Sequence, residues 1–168
     1  ALPISFYLSL LDPKESLAQN VDRLFFNKNA LLSQEFNELY NSLFTNANKY
    51  ITVVAALSQK KEGLDRTEIS ESTGISGGML TTILTNLERC DFILSYSRFN
   101  TKKNGSVYRL CDFYSLFYFN FIAENFSKDE NFWTHHLQSP RLRTWQGLTF
   151  EIVWKAVPLP HLPSLQGC

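Results

Sequence analysis

The sequence predicts a mainly α fold built around a winged helix-turn-helix, and three observations carry that prediction. Apolar residues recur at helical spacing in consecutive segments between Asn46 and Arg89. Segments rich in aromatic and aliphatic residues follow at Phe92 to Phe99 and Val107 to Leu110, and read as a β-hairpin. Capping and turn residues stand at the junctions, so helix, helix, helix and hairpin fill about 65 residues, the order of a winged helix with the hairpin tip as its wing.

Upstream of that unit, Ser9 to Phe26 reads as a loop and then a helix, with Pro13 interrupting it and Leu17, Val21, Leu24 and Phe25 at helical spacing. Ser33 is placed to cap a second helix, in which Phe36, Leu39, Tyr40 and Leu43 form one apolar stripe. The first helix of the winged unit puts Tyr50, Val53, Val54 and Leu57 on one face, ends near Lys60 and Lys61, and is broken by Gly63. Asp65 and Glu68 have capping-box spacing and open a short helix through Ser72 that stops at Gly74. Ser76 is placed to cap the third helix, with Leu80, Ile83, Leu84 and Leu87 inward and Thr81, Thr82, Thr85, Asn86 and Arg89 outward. After Asp112 comes an aromatic run, Phe113, Tyr114, Phe117, Tyr118, Phe119 and Phe121, too apolar all round for a surface helix. Phe132, Trp133, Trp145, Phe150 and Trp154 are the candidates to cover it. Pro158, Pro160 and Pro163 stop any helix in the tail, which reads as unstructured.

Sixteen basic and sixteen acidic residues cancel, so no global field draws the chain to nucleic acid or an anionic membrane, and any such contact is local. Residues 46–111 hold nine basic and six acidic side chains and are the only net basic third. No apolar run reaches the roughly 20 residues that span a bilayer, and the first residues lack a secretory pattern, so no membrane partner is expected. Three widely spaced cysteines, Cys90, Cys111 and Cys168, fit neither a disulfide framework nor a four-cysteine zinc site and point to the cytoplasm.

Several segments together resemble the C-terminal half of prokaryotic AAA-like ATPases of the signal-transduction (STAND) type. They are residues 7–11 (YLSLL), 17–26 (LAQNVDRLFF), 32–44, 74–78 (GISGG), 87–93 (LERCDFI), 108–114 (YRLCDFY) and 145–151 (WQGLTFE). The resemblance spans roughly residues 6 to 152. It implies that residues 1–45 are a helical lid remnant, 46–111 the winged helix and 112–152 an aromatic helical segment leading to a restriction-endonuclease-like domain, with 153–168 an atypical tail. It also implies a parent protein in which an upstream P-loop domain binds ATP and magnesium. No Gly-x-x-x-x-Gly-Lys-Ser/Thr occurs in this sequence, so no phosphate cradle, cofactor or ATP hydrolysis is expected of the chain itself. Both ends depart from the family pattern. Ala1-Leu2-Pro3-Ile4-Ser5 stands where Gly-Gly-x-Pro is usual, and the prolines after Val157 stand where a helix is usual. A truncated or frame-shifted reading frame is the expectation, and sequencing the surrounding locus checks it.

The candidate DNA-contacting residues are Ser76, Thr81, Thr82, Thr85, Asn86 and Arg89 on the third helix and Arg98, Lys102 and Lys103 on the wing. Hydroxyls and amides there can bond base edges or phosphates, and the basic wing residues can neutralise phosphates. A solvated helix face and an ordinary charged hairpin tip are the competing readings. The partner expected for this surface is double-stranded DNA; the alternative is a protein or interdomain contact, which the nearly neutral third helix also suits. His135 and His136, being adjacent, diverge and are poorly placed to share a metal. Glu151 lacks the acidic and lysine partners of a nuclease metal site, so catalysis is not expected. The aromatic run reads as core more readily than as a base-stacking platform, and any part left uncovered would favour self-association.

Overall fold

The computed structural model describes residues 4–32, 34–97, 105–123 and 129–156, with the side chains of Ile4, Leu148 and 151–156 outside that description. The architecture is mainly helical with one small antiparallel sheet. The chain divides into two compact units, Ala1–His135 and His136–Cys168.

The first unit begins with α1 (Ile4–Ser9) and α2 (Leu17–Val21). Ser16 and Gln19 form a full capping box at the start of α2, satisfying two donors that the helix itself cannot. Without a break α2 widens into a π turn over Asp22–Phe26, closed by the Asn27 N–H to the Asp22 carbonyl at 2.9 Å. This turn corrects the predicted stripe. Leu24 is buried and Val21 and Phe25 are half-buried, but the extra residue in the turn brings Phe26 into the core as well, and Leu17, at the helix start before the turn, is 73% exposed.

Helix α3 (Glu35–Leu43) buries Phe36 and Tyr40 as expected, with Leu39 half-buried. Leu43 is exposed, contrary to the predicted stripe, because the helix ends there and Phe44, in extended backbone, turns into the core instead. Gln34 occupies the N-cap position; Ser33, the predicted cap, lies outside the described residues.

The winged unit is α4 (Ala47–Ser58), β1 (Leu64–Asp65), α5 (Arg66–Thr73), α6 (Gly77–Arg89), β2 (Ile93–Ser97) and β3 (Ser106–Leu110). Every predicted inward residue of α4 and α6 is buried: Tyr50, Val53, Val54, Leu57, Leu80, Ile83, Leu84 and Leu87. Burying each such side chain stabilises the fold by about 1.5–3 kcal/mol before conformational entropy is counted. Asp65 accepts from the Thr67 and Glu68 N–H groups, and the Glu68 side chain accepts from the Asp65 N–H, completing the predicted capping box. Gly74 (φ +70) ends α5 in the left-handed region, where a Cβ would be strained.

The hairpin pairs Ile93 with Leu110 and Ser97 with Ser106, and β1 adds a third strand on the other side of β3, giving the order β1-β3-β2. Strand β1 has only two residues and no alternation to reveal it. Its approach depends on Gly63 (φ +84), where a Cβ would lie 2.5 Å from the Tyr108 carbonyl oxygen.

Helices α7 (Phe113–Phe117) and α8 (Phe132–His136) complete this unit, and α7 runs into a second π turn, Tyr118–Ile122. The aromatic run is core in the main: Phe117 and Phe121 are buried and Tyr114, Tyr118 and Phe119 half-buried, with Phe113 at the surface. Two of the expected covering residues do cover it. Trp133 meets Phe117 at 5.4 Å and Phe121 at 5.2 Å, and Phe132 meets Phe121 at 6.4 Å. Much of the remaining cover comes from residues not foreseen for it: Phe25 packs edge-on to Phe117 at 5.0 Å, and Phe36 stacks on Tyr118 at 3.8 Å. Phe36, Tyr40 and Phe44 on and after α3 thus join the aromatic segment to the winged unit, where Phe44 stacks on Tyr50 at 4.1 Å. The hydrophobic core runs across position 45 without a gap.

In the second unit α9 (Pro140–Ala156) starts with proline at its first position, where the missing N–H costs nothing, and the Ser139 hydroxyl accepts from the Leu142 N–H at 3.2 Å. Phe150, a predicted covering residue, is 68% exposed on this helix. Trp145 belongs to the same helix; the Trp154 and Glu151 side chains and the tail 157–168 lie outside the described residues.

Candidate nucleic-acid interface

Helices α5 and α6, joined by Gly74-Ile75-Ser76, form the helix-turn-helix, and the first turn of α6 with Thr81 and Thr82 is exposed while Leu80 and Ile83 face the core. Ser76, Thr81, Thr82, Thr85 and Arg89 are all exposed, as read from the sequence. Two expectations need correction. Ser76 stands at the N-cap of α6, but its hydroxyl makes no capping bond. The first residue of α6, Gly77, is left-handed (φ +61), so the entry differs from that of an ordinary N-cap. Asn86 is half-buried rather than outward, because its amide donates to the Tyr50 hydroxyl at 2.8 Å and ties α6 to α4.

The threonine hydroxyls on this face are partly engaged. Thr81 donates to the Gly77 carbonyl at 3.2 Å and Thr82 to the Gly78 carbonyl at 3.1 Å, the back-bonding usual for threonine inside a helix. Each keeps acceptor capacity toward a ligand.

Two basic residues that the sequence did not single out flank the same turn. The Arg66 guanidinium, at the start of α5, donates through one nitrogen to the Gly77 carbonyl at 2.7 Å and to Thr81 Oγ1 at 2.8 Å. Lys49 on α4 places its ammonium 3.1 Å from the Met79 sulfur. Both are exposed, and both lie where the positive end of the α6 dipole already favours an anion. Neither could have been found from spacing. Arg66 sits 15 residues before Thr81 and Lys49 30 before Met79, so their convergence depends on how α4 and α5 cross α6. The wing residues Arg98, Lys102 and Lys103 lie outside the described residues.

His135 Nδ1 pairs with Asp129 Oδ2 at 2.8 Å on the surface, and among the described residues no group of three or more His, Cys, Asp or Glu side chains is placed to hold a metal ion. Cys90 and Cys111 are free thiols. Burial first, then the Asp112 and Asp91 charges, push the Cys111 thiol up to about 11. Among the described residues no helix is long and apolar enough to cross a membrane.

Comparison of the chain with known protein families, with curated proteins and with solved structures finds no match.

Proposed function

We propose that this chain is a winged-helix DNA-binding and regulatory module of a STAND-type ATPase, acting in the cytoplasm by binding and not by turnover. The observation that carries the reading is the Arg66 guanidinium held against the first turn of α6, beside an exposed row of hydroxyls. Arginine fixed at a recognition-helix N-terminus is suited to phosphate oxygens or a guanine edge. In this proposal α6 enters the major groove, Thr82 and Thr85 face base edges, Arg66 and Lys49 meet the backbone, and Arg98, Lys102 and Lys103 extend the contact along the wing. The upstream P-loop domain implied by the resemblance would hold ATP and magnesium, and its nucleotide state would reorient this module.

A second reading, a protein or interdomain interaction module, draws on a different observation. Met79 on α6 and Leu94 and Tyr96 on β2 are exposed apolar side chains, 49%, 55% and 43% accessible. Exposed apolar residues beside a nearly neutral helix suit a protein partner.

Fluorescence anisotropy with random-sequence duplex DNA at low and moderate salt separates the two. DNA binding through three to five phosphate contacts should weaken with a log–log salt slope of about −3 to −5. Arg66→Glu and the pair Lys102→Glu/Lys103→Glu should each weaken it further and flatten that slope. Absence of binding at low salt rejects the DNA reading and leaves the interaction module.

A further inference from the structure

Away from α6, the first unit holds a pocket of about 450 Å³ between α1, the π turn after α2, α3 and Tyr114 at the start of α7. That volume lies in the range of pockets that take small molecules, roughly 300–1,000 Å³. Its walls are apolar in the main: Leu24 and Leu32 are buried beneath it, Phe25 and Leu39 flank it, and the exposed Leu8 and Leu11 form its rim.

Among the described residues one charged side chain lines it. Glu35, in the first turn of α3, accepts the Tyr7 hydroxyl on Oε1 at 2.6 Å, and among the described residues its Oε2 receives no hydrogen bond. Tyr114 also lines it, with its hydroxyl 3.4 Å from the Leu32 carbonyl. Burial, then the Glu35 charge, hold the Tyr114 phenol protonated well above the ordinary tyrosine range, so the pocket presents one negative charge and not two. Among the described residues no lysine, arginine or histidine lines it.

We propose that this pocket binds a small organic monocation, an aromatic or branched aliphatic body bearing one ammonium group. The body would displace water from Leu24, Phe25 and Leu39, and the ammonium would donate to Glu35 Oε2 in a pocket that Tyr7 and Tyr114 also line. A carboxylate among aromatic rings attracts a cation twice, through charge and through the ring quadrupoles, and repels an anionic ligand of the same shape. Charge complementarity therefore decides the class, and the apolar walls decide the body. The inference is independent of any DNA contact at α6.

Isothermal titration calorimetry of the intact chain with phenethylammonium, its neutral isostere propylbenzene and the anionic 3-phenylpropanoate tests it. The expected order is ammonium, then neutral, then carboxylate, with the first at least about tenfold tighter than the last, a difference one hydrogen-bonded charge pair supplies. Glu35→Gln should remove most of that preference. Leu11→Lys, a change at an exposed rim position that leaves the core intact, should weaken the ammonium and favour the carboxylate. Circular dichroism and thermal melting establish that each variant is folded. Equal affinities for the three probes would mean a merely apolar cleft and overturn the proposal. So would the absence of saturable binding by all three, including the case where sedimentation shows the pocket filled by a second copy of the chain.

Discussion

The Tyr40 hydroxyl lies 2.9 Å from Ser115 Oγ, a hydrogen bond between two buried side chains 75 residues apart. It joins α3 to α7 at the centre of the aromatic core. Burial dominates the environment of the Tyr40 phenol and holds it well above the ordinary tyrosine range, with the Ser115 hydrogen bond opposing the shift and the Asp112 charge adding to it.

Removing both partners should cost less than the two single removals added together. Tyr40→Phe leaves the Ser115 hydroxyl buried without its partner, and Ser115→Ala leaves the Tyr40 hydroxyl likewise. Each should destabilise the fold by about 1–3 kcal/mol. The double variant strands neither group, so its cost should fall short of the sum of the single costs. Chemical denaturation of all four proteins measures the coupling. Strict additivity would show that the hydrogen bond contributes nothing.

Two glycines with similar positive φ should respond differently to alanine. At Gly74 (φ +70) a Cβ meets nothing within 4 Å, so Gly74→Ala should cost only the left-handed strain, about 1–2 kcal/mol. At Gly63 (φ +84) the same Cβ would lie 2.5 Å from the Tyr108 carbonyl oxygen and 2.9 Å from Val107 Cγ1, so the backbone must part where β1 pairs with β3. Gly63→Ala should therefore be the more damaging by at least about 1 kcal/mol, as overpacking adds to strain. Comparing urea midpoints of the two variants checks the order, and a reversed order would refute the close approach.

These positions also show what the sequence discloses and what it withholds. Signals that act within a few residues were legible: the Asp65–Glu68 capping box, the Gly74 stop, and the inward faces of α4 and α6. Leu24 was legible as a core residue, but Phe26 was not, because a π turn changes the period after Asp22 and nothing local in Asp22–Phe26 announces an i→i+5 turn. Asn86 looked outward by helical phase, yet Tyr50 on another helix supplies its partner. Arg66, Lys49 and the Tyr7–Glu35 pair matter only through long-range convergence, which periodicity cannot encode.

Cys111 should be a sluggish thiol. Its raised value, about 11 against the reference 9.0, means that at pH 8 its thiolate fraction is about a hundredfold below that of an unperturbed cysteine. Its Sγ also donates to the Asp91 carbonyl at 3.3 Å, which favours the protonated thiol. Iodoacetamide labelling followed by peptide mass analysis should find Cys111 modified far more slowly than an unstructured cysteine peptide at pH 8. Its rate should still be climbing above pH 10. A half-maximal rate near the reference 9.0, levelling off soon after, would place the thiol at an ordinary value.

Asp22 should hold α8 in place. The carboxylate is 3% exposed and accepts from the Trp133 N–H at 2.7 Å, the Thr134 N–H at 3.1 Å and the Thr134 hydroxyl at 2.5 Å. It thus serves α8 as a cap drawn from a residue more than 100 positions earlier, where Phe26 on the same π turn also stacks against Phe132 at 5.0 Å. Asp22→Ala removes every acceptor at once and leaves a buried N–H at Trp133, a loss of about 2–4 kcal/mol given two or three bonds to a charged group. Asp22→Asn keeps one carbonyl oxygen but substitutes an NH₂ donor for the other, facing donors, so it should recover less than half of that loss. Hydrogen exchange adds a local reading: the Trp133 and Thr134 amides should lose protection in Asp22→Ala well before the α4 and α6 core does. Uniform loss of protection across both regions would mean that the two elements unfold together and that Asp22 has no separate hold on α8.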